Sequence, residues 1–350
     1  MHLPLDIELA IGLQTMSVGS PHNYEQLQAM RKNDSLRSAA DVLTNFPDIK
    51  HDEYSIPAPA GEIMVSVFRR HTLPQRSTGT LGILYIHPGG MILGNRFLDV
   101  ATALEWVQAF GAVCVAVEYR LAPEHPGFAP LDDCFAALEW MSQNAQLLFF
   151  DSALLMVLGI SGGGGLAAGL GLRSLHRNGP QIAVQVLVCP MLDPDNNSTS
   201  ATQGAPLGLW DSTANSYAWD CVLGTQHQAR EISAYLAPCR ATKAELIGLP
   251  PTFIDVGESE IFRDECVAYA SKLWAAGVST ELHVWQGGFH GFDLNVPSAA
   301  ISMMARNIRT AWVTRWLERK VKTLNFAEFP QAGAELVKTG DELTKPGQGR

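Results

Sequence analysis

The chain has 350 residues, of which 47% are hydrophobic and 17% charged. That balance builds a sizeable core and excludes wholesale disorder. With 25 basic against 35 acidic side chains the formal charge is −10, so no basic surface exists to hold a phosphate backbone, and nucleic-acid binding is not expected.

The first twenty residues carry Asp6 and Glu8 and lack the basic start of an export signal, which points to a cytoplasmic protein. Residues 1–50 read as loosely amphipathic helix, closed by Pro47. Ile63 to Phe68 is a strand candidate. Beyond it, short apolar runs alternate with helical patterns, the signature of a mostly parallel sheet with crossover helices. The runs are 82–87, 112–119, 153–159, 184–190, 252–257 and 280–285, and the helical patterns fall near 97–109, 130–146, 163–177, 262–276 and 298–320. Residues 194–248 break this rhythm with a polar, Trp- and Tyr-bearing stretch too long for an ordinary connection, so an inserted subdomain is expected. Residues 321–350 read as a polar surface tail.

An uncharged run from Ser152 to Leu172 raises the question of a membrane span, but its seven glycines fit a buried strand, a tight turn and a buried helix better. The six cysteines, Cys114, Cys134, Cys189, Cys221, Cys239 and Cys266, form no CxxC pair. Neither a zinc ribbon nor a disulfide framework is implied, and free buried thiols are expected.

Gly159-Ile160-Ser161-Gly162-Gly163 fits G-x-S-x-G after an apolar strand and before a helix pattern. A sharp strand-to-helix turn exposes the serine in a strained conformation, and only glycines two residues to either side avoid colliding with it. The run could equally be a turn that packs a helix tightly on a sheet. No register satisfies G-x-G-x-x-G and no Gly-Lys pair exists, which removes dinucleotide and P-loop readings. Upstream, His87-Pro88-Gly89-Gly90 follows a strand. Such a glycine loop can aim backbone N–H groups at the oxyanion of an acyl-transfer intermediate, although a plain Pro-Gly turn would look the same.

Together with Tyr119-Arg120-Leu121-Ala122-Pro123-Glu124-His125-Pro126, these motifs resemble the hormone-sensitive-lipase family of α/β-hydrolases, marked by an HGGG loop, a YRLAPEHP block and a GDSAG elbow. The resemblance runs from about Tyr85 to Phe292 and includes Pro190-Met191-Leu192-Asp193, Tyr235-Leu236-Ala237-Pro238 and Arg263-Asp264-Glu265. It implies an α/β-hydrolase fold: a mostly parallel central sheet flanked by helices, with a helical cap. Residues 1–50 and 194–248 would then be cap, 51–193 and 249–320 the two parts of the core. Three departures stand out. Pro88 replaces a glycine and has no N–H, Ile160 replaces the usual acidic residue, and Gly162 replaces alanine while keeping its donor.

The family orders its catalytic groups serine, acid, histidine. His290, in Gly288-Phe289-His290-Gly291-Phe292 after the last strand, matches the terminal histidine motif. The acid comes from Glu258-Ser259-Glu260-Ile261-Phe262-Arg263-Asp264-Glu265, where Glu260 takes the place of the family's aspartate and Glu258 and Asp264 are alternatives. The resemblance thus implies a serine carboxylesterase for short- to medium-chain or small-molecule esters, with Ser161, Glu260 and His290 catalytic and Gly89, Gly90 and Gly162 as oxyanion hole. Met91, Trp210, Tyr217 and Trp219 are candidate substrate-binding residues, though the aromatics could equally be core. No cofactor and no metal are implied. A small-molecule ester is the expected partner, with homodimerisation an open alternative. A natural-product lactone or amide is the rival substrate, and a silent ligand-binding relative is disfavoured because His290 is retained.

Overall fold

The computed structural model describes residues 3–16, 19–34, 37–72, 79–203, 209–224 and 232–327. The chain divides into two compact units, residues 1–310 and 311–350. In the first lies an eight-stranded sheet: β1 (Ile49–Ala58), β2 (Gly61–Arg70), β3 (Gly82–Ile86), β4 (Val113–Val117), β5 (Leu155–Ile160), β6 (Val184–Val188), β7 (Thr252–Gly257) and β8 (Thr280–Trp285). Their spatial order is β1-β2-β4-β3-β5-β6-β7-β8. The pairs β1/β2 and β2/β4 are antiparallel and all others parallel.

Strands β3 to β7 are buried at every position, which is why their sequences are unbroken apolar runs: helices cover both faces of a parallel sheet. The six runs expected from 82 to 285 are strands β3–β8: β7 and β8 match at both ends and the other four differ by one or two residues at an end; residues 153 and 154 belong to a 3₁₀ turn before β5. The crossover helices are Ala101–Phe110, Ala129–Gln143, Gly162–His176 and Arg263–Ala275.

Two elements differ from the sequence expectation. Strand β1 starts at Ile49, within the stretch read as helical, where three separate helices (Ile7–Gln14, Tyr24–Asp34 and Ala39–Leu43) precede it. Residues 194–248 contain helices Thr199–Gln203, Ser212–Leu223 and Lys243–Leu246, with 204–208 and 225–231 outside the described residues. The last helix, Ala300–Ala327, runs past residue 320; the remainder of the expected tail lies outside the described residues. No helix among them is long and apolar enough to cross a membrane. All six cysteines are free and buried.

The sheet order reverses at β3, whose neighbours are β4 on one side and β5 on the other. Crevices outside the carboxyl ends of strands at such a switch point are where open α/β sheets bind ligands. The helix after β5 packs hard against this place. A Cβ on Gly163 would stand 2.2 Å from the Ile86 carbonyl oxygen and 2.4 Å from that of His87, so glycine alone allows the approach.

Candidate active site

Five strand ends supply the site: β3, β5, β6, β7 and β8. Ser161 follows β5 directly, with φ 55° and ψ −120°, a conformation that costs a non-glycine residue energy and recurs at functional turns. Its N–H donates to Val188 O at 2.8 Å and its carbonyl accepts from Met191 N at 3.0 Å. The turn is therefore pinned to the strand beside it.

The Ser161 hydroxyl donates to His290 Nε2 at 2.9 Å, and His290 Nδ1 donates to Glu260 Oε2 at 3.1 Å. A carboxylate only accepts, so the ring proton sits on Nδ1 and leaves Nε2 free to accept. All three residues are buried. Burial pushes the Glu260 carboxyl above its ordinary value, and the adjoining His290 opposes that shift. The other two acid candidates are engaged elsewhere. Glu258 accepts from Gly287 N at 3.2 Å, while Asp264 accepts from Ser200 N and Arg263 Nε, each at 2.8 Å.

The loop after β3 brings Gly89 and Gly90, with φ 112° and 61°, against the elbow. A Cβ on Gly162 would stand 2.8 Å from both Gly90 N and Met91 N. The N–H groups of Gly89, Gly90 and Gly162 enter none of the turn, loop or cap bonds among the described residues. His87 stands behind this loop. Its Nδ1 donates to Pro88 O at 2.7 Å, and its ring stacks on Tyr119, whose hydroxyl donates to His87 O at 2.9 Å. The Tyr119–Pro126 block thus props the loop.

Burial lowers the His87 pKa to about 4, and its Nε2 has no partner. Between about pH 6.5 and 4 the unfolded chain therefore takes up a proton at this position that the folded protein refuses. Stability falls as pH falls through that window, by an amount on the order of 3 kcal/mol. Urea unfolding at pH 7 and pH 4.5 tests this: the loss of stability should be distinctly smaller in His87→Gln than in the parent. Equal losses would exclude His87 as the source.

Ser161 and His290 open onto a pocket whose lining also includes Ile160, Cys189, Met30, Leu209, Trp210 and Leu294. Of the four residues expected to bind substrate, Trp210 is in this wall. Met91 and Trp219 are buried in packing and Tyr217 is half-buried, and none of the three lines the pocket. Trp210 also closes over the loop, for a Cβ on Gly90 would meet its ring at 2.6 Å. Ile160, the departure from the usual acid, adds an apolar side chain beside the serine. Sequence reasoning missed Met30, Leu209 and Leu294 because no local pattern marks a wall assembled from three distant segments.

The N-terminal segment is tied to the acid and histidine loops. Asp6 N donates to Gly287 O at 3.1 Å, Ser259 Oγ to Pro4 O at 3.1 Å, and Ala300 N to Glu8 Oε2 at 2.6 Å. Leu9 packs with Trp285, Phe289 and Phe292 in one apolar cluster. Arg31 reaches the other side, donating to Ile92 O at 2.8 Å and pairing with Glu124 at 2.8 Å. Beneath the acid lies a buried ion cluster, in which Arg309 Nη2 is 2.7 Å from Asp255 and 3.1 Å from Asp293. Four non-glycine residues around the site hold positive φ: Met91 at 62°, Asp99 at 55°, Ser161 at 55° and Cys189 at 36°.

A sheet of this order carrying a serine on its β5 turn, linked through a histidine to a carboxylate, defines the α/β-hydrolase class, and residues 83–294 match the α/β-hydrolase fold family. Within that class the chain belongs to the hormone-sensitive-lipase family. It is 31% identical to Esterase LipI of Mycobacterium tuberculosis over 70% of this chain and 76% of that protein. Carboxylesterase NlhH of the same organism is 37% identical over 62% and 69%. Among solved structures, a bacterial heroin esterase superposes with a TM-score of 0.80 at 31% identity, covering 89% of this chain and 98% of the other.

Proposed function

We propose that the protein is a serine carboxylesterase acting on short- to medium-chain or small-molecule esters. The observation that carries this reading is the unbroken hydrogen-bond chain Ser161–His290–Glu260, with its serine end in an apolar pocket. The esterase names of its relatives support it.

Ser161 Oγ attacks the ester carbonyl while His290 Nε2 takes the hydroxyl proton. The oxyanion forms where the N–H groups of Gly89, Gly90 and Gly162 converge, at the N-terminus of the helix Gly162–His176, whose dipole favours negative charge. The tetrahedral species collapses and His290 hands its proton to the departing alcohol. Water, deprotonated by His290, then releases the acid and restores Ser161. Glu260 holds the Nδ1 proton and stabilises the imidazolium. No step needs a metal or cofactor.

Aryl esters of increasing acyl length, with a lactone and an aryl amide alongside and Ser161→Ala as blank, test the reading. Ester turnover should peak at short or medium chains, and turnover of the lactone or amide alone would overturn it. Trp210 supports the chain-length limit, since it narrows the pocket beside the oxyanion loop. Trp210→Ala should shift relative kcat/KM toward longer acyl chains by about tenfold with little change in Tm. A large fall in Tm with unaltered selectivity would make Trp210 a packing residue only.

A further inference from the structure

The groups behind the serine have a second chemistry. The Cys189 sulfur, a Glu260 carboxylate oxygen and a His290 ring nitrogen lie within 4.8 Å of one another, all buried. Cys189 is fixed at the end of β6 by its N–H, which donates to Asp255 O at 2.7 Å. Glu260 uses only Oε2 on His290, and its Oε1 is buried without a partner. Carboxylates outnumber cations here: Glu260, Asp293 and Asp255 act on the thiol, with Arg309 opposing. That excess of carboxylates attracts a dication.

We propose that Cys189, Glu260 and His290 form an inhibitory site for a borderline-soft divalent cation such as zinc or cadmium. Thiolate, imidazole and carboxylate are the donor set such ions prefer. Zinc bonds of about 2.0–2.3 Å place tetrahedral ligands about 3.5 Å apart, so the three side chains close on the ion by about an ångström. The ion gains access through the catalytic pocket, which Cys189 lines together with Ser161 and His290. On binding, the metal–sulfur bond replaces the S–H bond and the proton leaves to solvent. No oxidation occurs. A neutral imidazole that ligates through one nitrogen keeps its single proton on the other, so neither ring nitrogen of His290 is left to take the serine proton, and hydrolysis stops until a chelator removes the ion.

The inhibition rests on the esterase reading, whereas binding does not, so the two are measured separately. Cadmium added to the metal-free protein should produce the ultraviolet thiolate-to-cadmium charge-transfer band at one equivalent. That band should vanish in Cys189→Ala and Cys189→Ser, although the other five cysteines remain. Zinc should inhibit ester hydrolysis reversibly. Half-inhibition in each cysteine variant, taken against that variant's own metal-free rate, should need at least about tenfold more zinc. Glu260→Gln should weaken cadmium binding as well. A band without ester turnover keeps the site and removes the esterase reading. No band in the parent protein, or a band and inhibition unaltered in both cysteine variants, overturns the proposal.

Discussion

Ser161→Ala is expected to lower kcat/KM by at least about 10⁴-fold while leaving Tm and the circular dichroism spectrum nearly unchanged. The substitution removes one oxygen and keeps the Cβ, so the positive-φ backbone of the elbow is neither relieved nor strained further. The turn is held by backbone bonds to Val188 and Met191 that involve no side chain, and the following helix begins with glycine whatever stands at 161. What is lost is the hydroxyl bonded to His290 Nε2. The residual rate should be what the oxyanion donors and the pocket achieve with water as nucleophile. Retention of a tenth of the parent activity would place the nucleophile elsewhere.

Glu260→Gln is expected to lower kcat by about 10³ to 10⁴-fold with little change in KM. The amide has nearly the size and shape of the carboxylate, so packing survives, but it carries no charge to balance the imidazolium. Its NH₂ can also donate to Nδ1, which moves the ring proton to Nε2 and blocks the acceptor that Ser161 requires. Glu260→Asp should fall between the Gln variant and the parent, because it keeps the charge on a side chain one methylene shorter. Glu258→Gln should cost far less, since that carboxylate is occupied by Gly287 N. Steady-state kinetics of the four proteins decide the matter. A near-normal Glu260→Gln beside a dead Glu258→Gln would move the acid.

The constellation proposed to be catalytic was legible because the turns that carry it need contiguous backbone geometry. An elbow demands glycines at fixed offsets from the serine, and the terminal histidine sits in a loop with glycines on both sides. Glu260 could be read from its spacing to Arg263, Asp264 and Glu265. The fully buried strands were legible because burial on both faces writes an unbroken apolar run. Strand β1 was not. It lies at the sheet edge, its sequence Ile-Lys-His-Asp-Glu-Tyr-Ser-Ile-Pro-Ala is largely polar, and only two of its ten residues are buried. The pocket wall was legible at Trp210 and not at Met30 or Leu294, because side-chain direction there is decided by packing between distant segments. Arg309 gave no local signal either: its partners Asp255 and Asp293 are 54 and 16 residues away.

The ring of positive-φ residues around the serine bears on how this protein tolerates change. Met91, Asp99, Ser161 and Cys189 each hold a conformation that costs on the order of 1–3 kcal/mol, against a net stability of about 5–15 kcal/mol for a folded domain. The remaining fold must carry that load, so a mutation far from the site that weakens the sheet reduces the reserve that keeps the elbow bent. Engineering for heat resistance is constrained in the same way. Relaxing the ring would move the nucleophile or the loop facing it, so gains have to come from elsewhere, for example Phe149 and Asn178, which also hold positive φ but line no part of the pocket. Thermal robustness and catalytic geometry are thus separable in this fold by position, and a stabilised variant need not be a slower one.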